Sequence, residues 1–468
     1  MVSSNLKKGL FVILVGVIIW FLAVPAGLKP QAWQLFSIFV ATILGFILQP
    51  LPIGSIAFIA VTFSALSGVL KPAEALSGFS NITIWLIVSA FLFAKGFIKT
   101  GLGRRIAYMI IKAIGDSTLK LGYAIVISDL IMAPAMPSSA ARAGGVLFPV
   151  VRSLNSALGS EPGPTARKVG AYLLQTEYHG NAITCAMFMT AMAGNPLIAL
   201  LAAKTLNIEI TWGQWALAAI VPGLISLLVV PYFIYKFDPP ELTELPESKE
   251  MARRELAKMG ALTSAEKIIA AVFCGALLLW STSQFTKIDA TVVAMLGVSV
   301  MIITNVLEWK DILEEKGAWD TMIWMGSLVA LADYLSKLGF IPWFAKVVGA
   351  SIVGIPWLPA FGILLLVYVY AHYAFASLTA HITAMYAAFI AVAAAAGAPP
   401  YLVALALAFM SNLCMSLTHY GGAPAPIFFG AGYVDQGTWW KVGFMVSVVN
   451  LIIWVGLGSI WWRVLGLW

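Results

Sequence analysis

The sequence predicts an all-α polytopic membrane protein with eleven transmembrane helices and two re-entrant hairpins. Composition is the first reason: of 468 residues, 61% are hydrophobic and only 10% are charged, whereas a soluble chain carries about 25% charged residues. Length is the second, because many apolar runs approach the ~20 residues that a helix needs to cross ~30 Å of hydrocarbon. The third is a pair of polar interruptions inside such runs, at 137–145 and 377–381.

The apolar runs give the elements in order. An early pair, Lys7 and Lys8, followed by an apolar run resembles a signal peptide, but the run is long and further spans follow at once, so we expect a membrane helix. In the first half we predict spans at 9–24, 32–48, 55–69 and 82–98, an amphipathic stretch at 105–114, an interrupted segment at 119–151, and spans at 169–193, 196–206 and 215–235. In the second half we predict spans at 268–282, 290–307 and 321–335, an amphipathic stretch at 341–353, an interrupted segment at 358–396, and spans at 401–417 and 442–461.

Matching intervals indicate that the two halves are repeats. Trp85 precedes Gly101 by 16 residues and Trp324 precedes Gly339 by 15. The interval from Gly103 to Ser138 is 35 residues, and that from Gly339 to Ser377 is 38. Interrupted helices at corresponding places of two inverted repeats are typical of secondary transporters. We therefore predict an N-terminal membrane helix (1–30), a first inverted repeat (31–237, hairpin 119–151), a cytoplasmic linker (238–267) and a second repeat (268–468, hairpin 358–396).

The placement of basic residues predicts the orientation. The net charge is +7, but Lys and Arg lie mainly in short loops, which is the positive-inside pattern of a membrane protein and not a nucleic-acid surface. It predicts a cell-membrane protein (inner or plasma membrane) with a cytoplasmic N-terminus, a first hairpin entering from the cytoplasm and a second entering from outside. The partners expected are membrane lipid and small anions, with no nucleic acid.

The hairpin tips are the candidate substrate site. Backbone that leaves the helix at membrane depth must be buried or line a cavity, and free N–H groups at helix N-termini favour anions. Hydroxyl donors are added by Ser138, Ser139, Ser377 and Thr379. Two tips that face each other would bind one carboxylate each, which suits a short dicarboxylate. The alternative is that these hydroxyls bond within their own helices.

Two further helix breaks follow the hairpins. Gly194-Asn195-Pro196 interrupts one span and the Gly-Gly-Ala-Pro sequence at 421–424 interrupts another, which frees backbone groups. The candidate residues near them are Thr190, Asn195, Thr418, His419 and Gly421. An ordinary kink is the alternative. Glu177, His179 and Asn181 share one span and either line the site or form a structural network, and we expect Asp129 and Asp333 to be structural.

Two motifs resemble a known family. The sequence Pro-Ser-Ser-Ala-Ala-Arg-Ala-Gly-Gly at 137–145 resembles the P-S-x-x-A-R-x-G-G stretch of the divalent anion/sodium symporter family, in particular its 2-oxoglutarate/malate translocator and citrate/succinate exchanger branch. Thr-His-Tyr-Gly-Gly-Ala-Pro-Ala-Pro at 418–426 resembles that branch's T-H-Y-G-x-x-P-x-P stretch. The resemblance implies a homodimer with a scaffold and a transport domain that moves as an elevator. It also implies that a Ser-Asn-Thr motif at each tip binds carboxylates and helps to form sodium sites.

The sequence departs from those tip motifs. The equivalent positions are Ser138-Ser139-Ala140 and Ser377-Leu378-Thr379, so amide and hydroxyl oxygens that could bind sodium are missing. Arg142 and His381 each lie four residues after the first serine of a tip. Our hypothesis is that their fixed or protonatable charge replaces sodium, so that the empty carrier crosses slowly and transport is an exchange. The alternatives are that Arg142 caps a helix or reaches cytoplasmic water, and that His381 only packs.

The expected function is therefore sodium-independent exchange of dicarboxylates of the 2-oxoglutarate, malate and succinate type. A sodium-coupled di- or tricarboxylate symporter is the alternative. A membrane enzyme would need a catalytic cluster, but the four histidines are scattered, and a channel does not need interrupted helices in repeats. We expect no cofactor and no metal, since the spacing of Cys185, Cys274 and Cys414 matches no metal motif.

Overall fold

The structure is a computed structural model that describes residues 4–340, 343–344, 347, 356–375 and 377–468. Within these residues the regular structure is helical, and one isolated bridge joins Ser117 to Glu244. Most of the amphipathic stretch predicted at 341–353 lies outside the described residues.

The first half contains ten helices of at least ten residues, in an order that agrees with the predicted spans. They are α1 (Ser4–Phe21), α2 (Pro30–Leu48), α3 (Ile53–Leu66), α4 (Ile82–Thr100), α5 (Leu102–Ile114), α6 (Thr118–Met132), α7 (Phe148–Ala157), α8 (Gly170–Met187), α9 (Gly194–Leu206) and α10 (Trp212–Phe237).

The linker and the second half continue the same pattern. They contain α11 (Pro246–Met259), α12 (Ser264–Ser281), α13 (Ala290–Ile303), α14 (Lys316–Lys337), α15 (Trp357–Ala371), α16 (Leu378–His381), α17 (Ala387–Ala395), α18 (Pro400–Leu413), α19 (Gln436–Asn450) and α20 (Gly458–Val464).

The helical fold confirms the predicted class. With 169–193 and 196–206 counted as one interrupted span, each of the eleven predicted membrane spans coincides with one or more helices. Ten helices of the described residues are long and apolar enough to cross a membrane. Three of those ten are arms of the predicted hairpins, at Thr118–Ala135, Trp357–Ala374 and Leu378–Ala395. Two predicted spans are shorter helices of 14 residues, α3 and α13.

Burial identifies the centre of the bundle. Every residue of α8 is buried, although this helix carries a run of polar side chains, and α18 is buried from Leu402 to Leu413. By contrast, Val12 is the one buried residue of α1, as expected of a helix whose surroundings are lipid. Since polar side chains inside a membrane are costly, the buried polar side chains of α8 make this helix a candidate lining of the functional site.

The linker packs against the first half through charged contacts. Arg105 of α5 pairs with Glu266 at the start of α12 at 2.6 Å, and its guanidinium also donates to the carbonyls of Met259 and Gly260 at the end of α11. Arg105 is only 6% exposed, so this contact fixes the end of the linker on the membrane-facing bundle. Within the linker, α11 is a polar helix.

Candidate functional site

The first hairpin turns through an irregular segment at residues 133–139, called tip 1 below. A single 3₁₀ turn, Ala133–Ala135, ends the first arm, and Met136 is extended. The second arm begins with wide π-type turns over Ala140–Leu147, a distortion that is common at functional sites. Ser138 is half-buried, and its Oγ accepts a hydrogen bond from the backbone N–H of Ala141 at 3.2 Å.

The second hairpin has the same construction around tip 2, residues 372–375 and 377. A 3₁₀ turn covers His372–Ala374, Ser377 is extended, and π-type turns follow at Ile382–Tyr386. The Oγ of Ser377 accepts from the backbone N–H of Ala380 at 3.4 Å. Ser138 and Ser377 thus both cap the helix that they precede. The oxygen of each hydroxyl is therefore bonded within its own helix, which was the alternative expected from the sequence. Each serine still has a hydroxyl hydrogen that it can donate to a ligand.

The other predicted tip residues differ in exposure. Ser139 is buried at 6% exposure and Thr379 is half-buried. Leu378 packs in the main hydrophobic core, so its side chain holds the tip in place, and it offers no polar atom to a ligand. A Leu at this position therefore makes tip 2 less polar than tip 1.

Tip 1 is joined to the break between α8 and α9, residues 188–193, called break 1. The backbone N–H of Ala193 donates to the Pro137 carbonyl at 3.1 Å. Thr190 Oγ1 donates to the Pro134 carbonyl at 2.6 Å and accepts from Trp212 Nε1 at 3.0 Å. Thr190 is 2% exposed, so it connects tip 1 to break 1 from within the protein.

Tip 2 is joined in the same way to the break after α18, residues 414–424, called break 2. His372 Nε2 lies 2.7 Å from the Gly421 carbonyl, and Tyr420 Oη donates to the Tyr373 carbonyl at 2.9 Å. Gly421 allows this approach because a Cβ there would lie 2.8 Å from the Met415 carbonyl oxygen and 3.0 Å from His372 Nε2.

His419 and Thr418, the other candidate residues of break 2, differ in their hydrogen bonding. His419 Nδ1 accepts from Trp440 Nε1 at 3.0 Å, and this bond orients its ring. Thr418 is fully buried, and its Oγ1 has no hydrogen-bond partner among the described residues. A buried hydroxyl without a partner is costly, so Thr418 is a polar atom available to a ligand in this region.

A pair of asparagines connects the two breaks. Asn195 Nδ2 donates to the carbonyls of Cys185 and Phe188 at 2.7 and 3.0 Å, which are left free where α8 ends. Asn195 Oδ1 accepts from Asn412 Nδ2 of α18 at 2.8 Å. Both asparagines are fully buried. Asn412 is not predicted from the sequence, because a single Asn in an apolar span carries no local signal.

Arg142 forms a buried ion pair, which corrects our hypothesis about its charge. It is fully buried, and its Nε donates to Asp129 Oδ1 at 2.8 Å. Asp129 also accepts from Asn181 Nδ2 at 3.1 Å and from Thr184 Oγ1. Arg142 therefore neither reaches cytoplasmic water nor carries an uncompensated charge, since a carboxylate on the opposite hairpin arm balances it. Asp129 is structural, as expected.

The other guanidinium hydrogens of Arg142 bind backbone atoms of tip 1 and break 1 and side chains at the end of α8. Nη1 donates to the carbonyls of Met136 and Ala191, and Nη2 donates to Thr184 Oγ1 and to Cys185 Sγ, each at 3.2 Å. Arg142 thus acts as a cross-link between the hairpin and the helix break.

His381 occupies the position in the second half that corresponds to Arg142 in the first. It is fully buried, its Nδ1 lies 3.1 Å from His372 Nδ1, and it is 3.6 Å from the Sγ of Cys414. Arg142 contacts Cys185 at the end of α8, and His381 contacts Cys414 just after α18. The residue four positions after each capping serine therefore contacts the start of the following break. His372, His381 and Cys414 are also the group of described residues able to hold a metal ion.

The polar residues of α8 divide into two sets. Asn181 belongs to the Arg142–Asp129 network. Both carboxyl oxygens of Glu177 and the Nδ1 of His179 are buried without a hydrogen-bond partner in the described part of the chain. Asp333, expected to be structural, forms an ion pair with Lys204 of α9.

Comparisons with known proteins agree with this architecture. Residues 3–468 match the family model described as the sodium:sulfate symporter transmembrane region. The chain is 53% identical over 460 residues to the putative malate transporter YflS of Bacillus subtilis, covering 98% of this chain and 96% of that protein. It is 48% identical to the chloroplastic dicarboxylate transporter 1 of Spinacia oleracea, covering 100% of this chain and 82% of the relative.

A solved structure shares the fold. The crystal structure of the YdaH transporter of Alcanivorax borkumensis aligns over 99% of this chain and 97% of its own, with a TM-score of 0.56 and 10% sequence identity. The family match over almost the whole length and the high identity to full-length relatives confirm the family resemblance that the motifs at 137–145 and 418–426 indicated. The chain is thus a multi-pass membrane protein of the divalent anion/sodium symporter family, whose members are transporters and not enzymes.

Proposed function

We propose that this protein exchanges dicarboxylates of the malate, 2-oxoglutarate and succinate type across the cell membrane without sodium. The observation that carries the proposal is the matched construction of the two tips. Each tip presents a capping serine, Ser138 or Ser377, at a helix start, and each serine keeps a hydroxyl hydrogen to donate. Helix starts and hydroxyl donors suit carboxylates, and two of them suit a molecule with two carboxylates.

The names of the relatives support the substrate class. A putative malate transporter and a chloroplastic dicarboxylate transporter are 53% and 48% identical to this chain over nearly its full length. We expect Ser139, Thr379, Thr418 and His419 to complete the site. Arg142, Thr190, Asn195 and Gly421 would position it, because their polar groups are used within the protein.

Sodium independence rests on the chemistry of the tips. A hard cation needs several oxygen ligands, but Ala140 has no side-chain oxygen and Leu378 is packed in the core. Exchange would then follow from the cost of moving an empty polar site through the membrane. Because Asp129 balances Arg142, exchange by this route requires no fixed positive charge.

A sodium-coupled symporter is the second candidate. The matching family model is named for sodium:sulfate symport, and backbone carbonyls freed at the two breaks can bind a cation even where side-chain oxygens are missing. The two candidates differ in one measurable property, the dependence of uptake on sodium.

We further propose an elevator motion in a homodimer with a cytoplasmic N-terminus. An apolar cavity of about 280 Å³ lies between α2 and α14 on one side and α9 and the second hairpin on the other. The ion pair between Lys204 and Asp333 crosses the same boundary. Such a weakly packed boundary is where the transport domain would slide along the scaffold.

Uptake into proteoliposomes tests the proposal. Labelled malate would be added to vesicles that are empty or preloaded with unlabelled malate, each with and without an inward sodium gradient. We expect uptake that requires internal dicarboxylate and is unchanged by sodium. Sodium-driven uptake into empty vesicles would instead establish the symporter, and the absence of malate uptake under all four conditions would contradict the substrate class.

A further inference from the structure

Three side chains capable of binding metal converge behind tip 2, although they are far apart in the sequence. His372 lies in tip 2, His381 follows it by nine residues, and Cys414 lies 33 residues further on. All three are buried, and their ligand atoms lie within 4.8 Å of one another. We propose that this cluster is a binding site for a borderline-soft transition-metal ion, with Zn²⁺ as the ion to test first.

The distances fit a tetrahedral ion. With Zn–N of about 2.0–2.1 Å and Zn–S of about 2.3 Å, tetrahedral angles place two nitrogen ligands about 3.3 Å apart and nitrogen and sulfur about 3.6 Å apart. The two Nδ1 atoms are 3.1 Å apart, and His381 Nδ1 is 3.6 Å from Cys414 Sγ. Small adjustments of the rings would bring the three atoms onto one ion, and water would fill the fourth position.

The hydrogen bond of His372 prepares its Nδ1 for a metal. Nε2 lies 2.7 Å from the Gly421 carbonyl, and a carbonyl only accepts, so Nε2 carries the hydrogen of the neutral ring. Nδ1 then presents its lone pair toward His381 and Cys414. Metal-binding histidines almost always donate their other ring N–H to such an acceptor.

The ring nitrogens of His381 are also better satisfied with a bound ion than without one. In the metal-free cluster its Nδ1–H donates to His372, which leaves Nε2 as a buried acceptor with no hydrogen-bond partner among the described residues. With Nδ1 on a metal, Nε2 would carry the hydrogen instead, and the backbone of Tyr368 lies close to this ring. The rings of Tyr368 and Phe375 pack against the imidazole at centroid distances of 4.4 and 5.0 Å and hold its orientation.

The donor set selects the class of metal. One thiolate and two imidazoles suit Zn²⁺, Cu⁺ and Co²⁺, and they exclude Na⁺, Mg²⁺ and Ca²⁺, which prefer oxygen. The thiol of Cys414 would lose its proton on binding. Because the ligands come from tip 2, the following arm and break 2, a bound ion would cross-link these three segments as Arg142 does around tip 1.

Cobalt binding tests the site directly. The purified protein would be stripped with a chelator in detergent, in a Cys274→Ser background that removes the exposed thiol, and titrated with Co²⁺. We expect one equivalent to produce a thiolate-to-cobalt charge-transfer band that Zn²⁺ abolishes by displacement. Zn²⁺ should also raise the melting temperature of the protein.

Two variants identify the ligands. Cys414→Ala should abolish the band and weaken Zn²⁺ binding at least 100-fold. Cys185→Ala, which removes the buried thiol at the other break, should leave the band intact. If Cys414→Ala is not monodisperse, His372→Gln serves as the second variant and should also weaken Zn²⁺ binding. The proposal is overturned if no band forms at stoichiometric cobalt, or if the band survives Cys414→Ala.

Discussion

The ion pair of Arg142 and Asp129 gives the sharpest structural prediction. Both side chains are fully buried and join at 2.8 Å. Replacing one partner of a buried pair leaves an uncompensated charge and costs about 3–5 kcal/mol. Since each 1.4 kcal/mol is a factor of ten, Arg142→Gln should lower the folding equilibrium constant by roughly 100- to 4,000-fold.

The residues around the Arg142–Asp129 ion pair refine the expected loss of stability. Without Arg142, the Asp129 carboxylate still accepts from Asn181 and Thr184, so Arg142→Gln should lie near the lower end of the range. Without the carboxylate, Arg142 keeps only neutral acceptors such as the carbonyl of Ala191 at 3.0 Å. Asp129→Asn should therefore cost more than Arg142→Gln, and the double variant should cost at least 2 kcal/mol less than the sum, as expected of coupled sites.

Unfolding by SDS in mixed micelles measures these free energies. Arg104→Gln is the matched control, because Arg104 is exposed one residue before buried Arg105, and exposed substitutions usually change stability by less than about 0.5 kcal/mol. An Arg142→Gln variant as stable as Arg104→Gln, or a double variant whose cost equals the sum, would refute the buried pair.

Three further predictions concern the breaks and the linker. Gly421→Ala should cost about 1–3 kcal/mol of unfolding free energy through overpacking, since its Cβ would meet the Met415 carbonyl at 2.8 Å, whereas Gly430→Ala, with open space around it, should not. Asn412→Leu should lower the free energy of unfolding by about 1–3 kcal/mol, because it leaves the buried amide oxygen of Asn195 without its donor. A change near zero in the same assay would contradict that contact. The ammonium groups of Lys120 and Lys249 lower the pKa of the Asp116 carboxyl to about 2, so their stabilisation of the linker is present above about pH 4 and is lost as pH falls through about 2. Asp116→Asn should therefore speed hydrogen exchange in α11 at neutral pH, and 1 M salt should do the same to the wild-type protein. Unchanged exchange in both experiments would show that the Asp116 ion pairs do not hold the linker.

Features with local signals could be predicted from the sequence. Apolar runs gave the helices, and the serines at 138 and 377 stand out because polar residues and Pro or Gly interrupt such runs. Both serines cap helices at the turns of the hairpins, and each tip contacts the break that follows it.

Features that depend on how distant segments meet could not be predicted. The sequence shows Arg142 and Asp129, 13 residues apart, but not that the hairpin folds one arm onto the other and pairs them. Asn412 and Asn195 are 217 residues apart, and the cluster of His372, His381 and Cys414 joins three segments with no motif spacing. In each case the partner is chosen by the tertiary fold, which local patterns do not specify.

Binding of malate to tip variants tests the central claim most directly. If each tip binds one carboxylate, Ser138→Ala and Ser377→Ala should each raise the Kd for malate about tenfold, since a hydrogen bond to a charged group contributes about 1.5–3 kcal/mol. The double variant should show the product of the two effects. Calorimetry in detergent would measure these constants, with lactate, which has one carboxylate, as the control ligand expected to bind weakly to the wild type. Equal malate affinity in wild type and both single variants would contradict a site formed by the two tips.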